Sequence, residues 1–184
     1  MPVYRLTIEY DGTKFRGWQV QREGRTVQGV LARELEDAIG ESGLALRGAG
    51  RTDAGVHALG QVASLTCRHA IDPGLLLQRL DERLPADLAV VDVSEAPARF
   101  HARHDAVQRS YRYQIARRRS AFGKRFTWWV REPLDVEAMR QAGEGFVGRH
   151  DFARLARRDD PERSTVVVVD QVRVVELGEL VVLR

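Results

Sequence analysis

Val3 to Tyr10 alternates strictly, with Tyr4, Leu6, Ile8 and Tyr10 on one side and Arg5, Thr7 and Glu9 on the other. A two-residue period predicts a half-buried strand. Asp11-Gly12-Thr13 breaks it. A four-residue period then takes over: Val27, Leu31, Leu35 and Ile39 share one helical face, with Thr26 as N-cap and Gly40 as the stop. Leu44 to Arg47 and Gln61 to Cys67 predict short strands on either side of a glycine-rich segment. Asp72-Pro73 caps and opens a second helix carrying Leu76, Leu77, Leu80 and Leu84, and Leu88 to Val93 returns as a strand. The order strand–helix–strand–strand–helix–strand is that of a ferredoxin-like or RNA-recognition-type unit.

Ser94 to Ala106 reads as a connection, after which Arg109 to Ala116 predicts a strand. Asp135 caps a third helix with Val136, Met139, Ala142 and Phe146 facing inward. Thr165 to Glu176 predicts one long valine-rich strand, Gly178-Glu179 a hairpin turn, and Leu180 to Leu183 the returning strand. The expected class is α+β, in two α/β halves at 1–104 and 105–184, the second shorter and incomplete.

A chain of 184 residues suffices for one large domain or two small ones, and 43% apolar with 30% charged residues is ordinary for a soluble globular protein. The net charge of +3 is small. Its distribution says more. Of 29 basic residues only Lys14 and Lys124 are lysine, which leaves 27 arginines. Arginine's planar fork suits phosphate and base stacking, although an arginine-rich genome would give the same bias. Arg99, Arg103, Arg109, Arg112, Arg117, Arg118, Arg119 and Arg125 crowd residues 99–125 around Tyr111 and Tyr113. Basic residues interleaved with aromatics suit a nucleic-acid partner, a solvated basic face being the alternative. Cys67 is the only cysteine, so an internal disulfide and a Cys-rich metal site are excluded, and it is expected to be inert and half-buried. A charged-then-apolar leader and an apolar run of membrane-spanning length are both lacking, which predicts a cytoplasmic location and no membrane partner.

The segment with most chemistry is Gly48-Ala49-Gly50-Arg51-Thr52-Asp53-Ala54-Gly55-Val56-His57-Ala58. It has too little side-chain mass to build a core. Arg51 and Asp53 fall on one face if the chain there is extended. A carboxylate beside a guanidinium is a candidate nucleophile or base. A surface loop in which the two merely pair fits the same composition. His101, His104, His150 and Asp151 lack the supporting cysteines and carboxylates of a metal site, so no metal is expected. Trp18, Trp128 and Trp129 are expected to pack rather than to serve as stacking platforms.

Taken together, these residues resemble the tRNA pseudouridine synthase A family. The resemblance rests on Tyr10-Asp11-Gly12-Thr13 with Phe15, Gly17-Trp18-Gln19 and Gln21, then Thr26-Val27-Gln28, then Gly50 to Ala58. It continues through Phe100-His101-Ala102-Arg103, Arg109-Ser110-Tyr111-Arg112-Tyr113, and Gly148 with His150-Asp151-Phe152. It implies a pseudouridine synthase fold: two ferredoxin-like halves forming a long, mainly antiparallel sheet with helices on one side. It implies isomerisation of uridine to pseudouridine in the tRNA anticodon stem-loop, at tRNA positions 38 to 40, without cofactor or metal. Asp53 would be the catalytic aspartate, Arg51 would displace the flipped base or hold its phosphate, and Tyr111 would stack on the uracil. Arg103, Arg109, Arg112 and His57 would contact RNA, His57 having a structural role as its alternative. The partners implied are tRNA and a second copy of the chain in a homodimer. The resemblance further implies a strand and helix beyond Arg184, opening with a Phe-Leu…Met-Val-Arg motif whose arginine pairs with the aspartate. A non-catalytic RNA-binding or assembly module is the alternative function.

Overall fold

The computed structural model describes residues 1–156 and 164–184. It is a mixed α+β protein with mainly antiparallel sheets and, among the described residues, three α-helices. The chain folds as two units, Met1–Gln108 and Arg109–Arg184.

The first unit contains β1 (Val3–Tyr10), α1 (Val27–Ile39), β2 (Ala45–Gly48), β3 (Ala58–Thr66), α2 (Pro73–Asp81) and β4 (Leu88–Ala96). Its four strands lie in the order β2-β3-β1-β4 and every neighbouring pair is antiparallel. The alternation in β1 does what its period predicts: Tyr4, Leu6, Ile8 and Tyr10 are buried, and both helices pack against that face. Val90 and Val93 both face inward despite an odd spacing, because the β1–β4 register slips between Thr7 and Ile8. Thr26 caps α1 by accepting a hydrogen bond from the Gly29 amide, and Gly40 ends it in the left-handed region at φ 75°. Asp72 caps α2 in the same way through the Leu75 amide.

Several boundaries differ from the sequence pattern. β3 begins at Ala58 rather than Gln61, because Ala58 pairs with Tyr10, and β4 runs on to Ala96 opposite Val3. Cys67 is fully buried, not half-buried, its thiol sits 3.1 Å from the His69 carbonyl, and burial pushes its pKa up.

The second unit contains β5 (Tyr113–Ala116), β6 (Trp128–Trp129), α3 (Val136–Glu144), β7 (Gly148–Asp151), β8 (Val166–Val169), β9 (Val174–Leu177) and β10 (Leu180–Leu183). One sheet has the order β6-β5-β10-β9, and β7 pairs with β8 in another. The expected strand from Arg109 forms only at Tyr113, where pairing with Leu183 begins. The expected strand from Thr165 to Glu176 is two strands: β8 pairs with β7 and β9 with β10. Valine content cannot reveal a change of partner. Gly178, at φ 59°, and Glu179 make the two-residue turn that joins Leu177 to Leu180.

In α3 the inward positions are Val136, Met139 and Gly143; Ala142 and Phe146 face outward, and Phe146 lies past the helix end. A Cβ on Gly143 would stand 3.0 Å from Val172, so a residue without a side chain occupies the helix's closest approach. A hydrophobicity pattern cannot register such a position. Trp18 is buried as expected, whereas Trp128 and Trp129 are 58% and 45% exposed. Tyr113 meets Trp128 edge-on at 6.2 Å. The core of this unit is small, built on Ile115, Val136, Val174 and Val181.

Leu35 is fully buried while Leu177 is mostly exposed. Leu35→Ala is expected to cost roughly 2–5 kcal/mol, read from the exchange of β1 amides in increasing urea. Leu177→Ala, read at β10, is expected to stay within about 0.5 kcal/mol.

Candidate active site

The segment 49–57 connects β2 to β3 as a loop, with Arg51 and Asp53 both exposed. No ion pair among the described residues involves either of them. What holds the loop is backbone. The Trp18 amide donates to the Thr52 carbonyl at 3.0 Å, and the Gly55 amide donates to the Phe15 carbonyl at 3.2 Å. The Tyr10 hydroxyl shares a 2.8 Å hydrogen bond with the Thr52 hydroxyl, and the Gln61 side-chain Nε2 donates to the Gly50 carbonyl at 2.8 Å. Burial raises the Tyr10 pKa, and its bonds with Thr52 and Gln61 offset part of that shift. Within the loop the Val56 amide returns to the Asp53 carbonyl at 3.2 Å.

The segment 10–18 is thus a bed for the loop, and its glycines explain how close the two lie. A Cβ on Gly12 would stand 2.0 Å from the Val56 carbonyl oxygen. Gly17, at φ 89°, would place one 2.5 Å from the Thr52 carbonyl oxygen. The Trp18 ring lies against the end of β2 that leads into the loop, where a Cβ on Gly48 would meet it at 2.6 Å.

His57 belongs to this bed. Its Nδ1 is 3.0 Å from the Gly12 amide nitrogen and 3.1 Å from an Asp11 carboxylate oxygen. One nitrogen cannot satisfy both. Unprotonated, it accepts from Gly12; protonated, it donates to Asp11. Either way the ring ties residues 11–12 to the end of the loop, which favours the structural alternative for this histidine.

A second tie lies behind the bed. Arg25 grips Asp87 with two parallel hydrogen bonds of 2.7 and 2.6 Å, and its guanidinium lies 4.0 Å over the Phe15 ring. Those bonds hold the Asp87 carboxyl below the usual carboxylate range and raise the pKa of Arg25. Neither residue stands out in the sequence. They are 62 positions apart, and only the thermodynamically ordinary feature of an arginine before a helix cap marks Arg25.

The remaining sequence candidates are distributed as follows. Arg51, Asp53, His57 and Arg103 belong to the first unit; Arg109, Tyr111 and Arg112 belong to the second. Arg103, Arg109 and Arg112 are exposed, and Tyr111 is 75% exposed in the coil that precedes β5. Arg103 lies in the turn 102–104, anchored by the buried Ala102, whose amide donates to the Ser64 hydroxyl at 3.4 Å. The His101 and His104 rings lie 4.3 Å apart, tilted by 53°, and no group of three or more His, Cys, Asp or Glu side chains among the described residues is placed to hold a metal ion. No helix among them is long and apolar enough to cross a membrane.

A family model described as tRNA pseudouridine synthase matches residues 6–105. A tRNA pseudouridine synthase A of Sinorhizobium fredii is 41% identical over 195 residues, covering 100% of this chain and 76% of the relative. One from Pelobacter propionicus is 42% identical, with 100% and 75% covered. One from Syntrophotalea carbinolica is 44% identical, with 98% and 72% covered.

Two outcomes follow from the bed and its tie. Gly12→Ala is expected to destabilise the first unit by at least about 1–3 kcal/mol, measured by urea unfolding, because backbone rather than a movable side chain fills the space. The lowered pKa of Asp87 means its contribution is whole above the ordinary carboxylate value and is lost as pH falls through the lowered one. Stability measured below about pH 4 is therefore expected to fall less steeply in Asp87→Asn than in the parent chain.

Proposed function

The chain belongs to the tRNA pseudouridine synthase A family, and from that premise we propose that it isomerises uridine in the anticodon stem-loop of tRNA, at tRNA positions 38 to 40, with Asp53 as the catalytic carboxylate. One observation carries the assignment to Asp53. Its loop presents an exposed carboxylate with no ion-pair partner among the described residues, on a backbone pinned at Thr52 and Gly55. A group held in place yet left uncommitted suits attack on a substrate.

The reaction needs no redox step and no net gain or loss of atoms. The bond from uracil N1 to ribose C1′ breaks, a bond from C5 to C1′ forms, C5 loses its proton and N1 gains one. Asp53 serves as the nucleophile, either at C1′ after glycosidic cleavage or on the base. A uridine paired or stacked in a stem cannot reach a loop carboxylate, so the nucleotide is flipped out first. Arg51, two residues away, holds the displaced phosphate or occupies the space of the flipped base. Tyr111 stacks on the uracil and assists removal of the C5 proton. Arg103, Arg109 and Arg112 contact the RNA backbone. The protein acts as a cytoplasmic homodimer on this reading.

The lost C5 proton provides the assay. With tRNA transcript tritiated at uridine C5, the enzyme is expected to release tritium to water, and Asp53→Ala is expected to release none above background. Product from that variant would remove Asp53 from the reaction. Tight tRNA binding by the parent chain with no tritium release would favour the non-catalytic RNA-binding alternative. Binding is expected to weaken steeply with salt, and each of Arg103→Ala, Arg109→Ala and Arg112→Ala is expected to reduce the salt slope by roughly one. A flat salt dependence would argue against RNA as the partner.

A further inference from the structure

Arg25 and Asp87 lie outside the Gly-Arg-Thr-Asp segment and outside every role assigned above. Their geometry is unlike that of an ordinary surface ion pair. The contact is bidentate, the side chains are only 34% and 22% exposed, and the backbones of both residues join the same short segment. The Asp11 amide donates to the Asp87 carbonyl at 3.0 Å, and the Arg16 amide donates to the Arg25 carbonyl at 2.8 Å. Between these two bonds the guanidinium covers the Phe15 ring. Residues 11–16 are therefore held at both ends by the backbones of Asp87 and Arg25, which the side-chain pair locks to each other, and in the middle by the Arg25 guanidinium.

The other side of this segment carries the loop. The Phe15 carbonyl accepts the Gly55 amide, and the Gly12 amide donates to His57. A shift of residues 11–16 would move the acceptor of Gly55, two residues from Asp53.

We propose that Arg25 and Asp87 form a clamp that positions the Asp53 loop by fixing residues 11–16 beneath it. Both are positioning residues. The inference rests on the catalytic reading of Asp53, and it requires arginine in particular. A planar fork can serve two carboxylate oxygens while its face rests on Phe15, whereas lysine offers a point charge.

The test has two readouts on the full chain. The first is amide hydrogen exchange, which does not depend on turnover. In Arg25→Ala, Asp87→Ala and Arg25→Lys, exchange at Gly55 and Val56 is expected to rise by about tenfold or more, while α1 and the centre of β1 keep their protection. Unchanged exchange at Gly55 and Val56 overturns the clamp, and so does an equal rise throughout β1 and α1, which would mean general destabilisation. Arg25→Lys keeps the charge and the stem, so it covers the case in which Arg25→Ala fails to fold.

The second readout is single-turnover tritium release at saturating enzyme, set against tRNA affinity. The rate is expected to fall by about ten- to a hundredfold with Kd within about threefold. The double variant Arg25→Ala/Asp87→Ala is expected to be no slower than the slower single variant. Multiplying losses, or a loss confined to Kd, would overturn the positioning role. The two readings fail separately. Activity in Asp53→Ala defeats the catalytic assignment whatever the exchange shows, and tight exchange at Gly55 in the clamp variants defeats the clamp whatever Asp53→Ala does.

Discussion

Backbone rests directly on backbone beneath the Asp53 loop, with no side chain between. The Gly12 position cannot accept a Cβ without meeting the Val56 carbonyl, and Gly17 cannot accept one without meeting that of Thr52. Much of the first unit meets at this contact. The end of β1, the turn after it, the buried Trp18 and the start of α1 are all tied to it, the last through Val27 and Gln28 amides that donate to the Gly17 and Trp18 carbonyls. A loop of small residues has little surface to bury and would by itself be mobile. Here its order comes from hydrogen bonds to a neighbouring segment that is itself anchored in the core by Tyr10, Phe15 and Trp18. The exposed carboxylate is thereby borne on a constrained backbone.

The two units solve their folding problem differently. The first buries a continuous core from both helices and all four strands, including the full side chains of Trp18, Tyr4, Leu31 and Leu35. The second closes over a few residues and leaves Tyr113, Trp128 and Trp129 at the surface. Its opening stretch, residues 109–131, contains Arg109, Arg112, Arg117, Arg118, Arg119, Lys124, Arg125 and Arg131 and no acidic residue. Exposed rings in a stretch rich in arginine and without acidic residues suit a partner that is both polyanionic and aromatic. RNA has both properties. Arg117 departs from this pattern by pairing with Glu176, which Arg140 also contacts.

The elements most legible in the sequence were those whose signals are local. β1 runs over the residues its alternation marks, and α1 begins at the Thr26 cap and stops at Gly40. The turn at Gly178-Glu179 was equally plain, since glycine admits the conformation required there. Elements whose limits depend on a partner strand were not. Residues 165–176 are valine-rich along most of their length, yet two different ladders divide them, and β5 is shorter than its pattern because pairing with β10 starts at Tyr113. In α3, Val136 and Met139 face inward as expected, but Ala142 and Phe146 do not, because the tightest contact is made by Gly143, which has no side chain to read.

The sequence by itself determined the segment that carries Asp53 and, through the order of its motifs, the family. Both are matters of residue identity and spacing along the chain. Tertiary structure decided why Tyr10, Gly12, Phe15, Gly17 and Trp18 accompany that segment: they form the surface on which it rests. It also brought His57 within hydrogen-bond reach of residues 11 and 12 and Arg25 to Asp87 across 62 positions. The physical reason is the same in each case. A close approach or a bidentate pair is a property of two segments at once, and neither segment contains the signal for it alone.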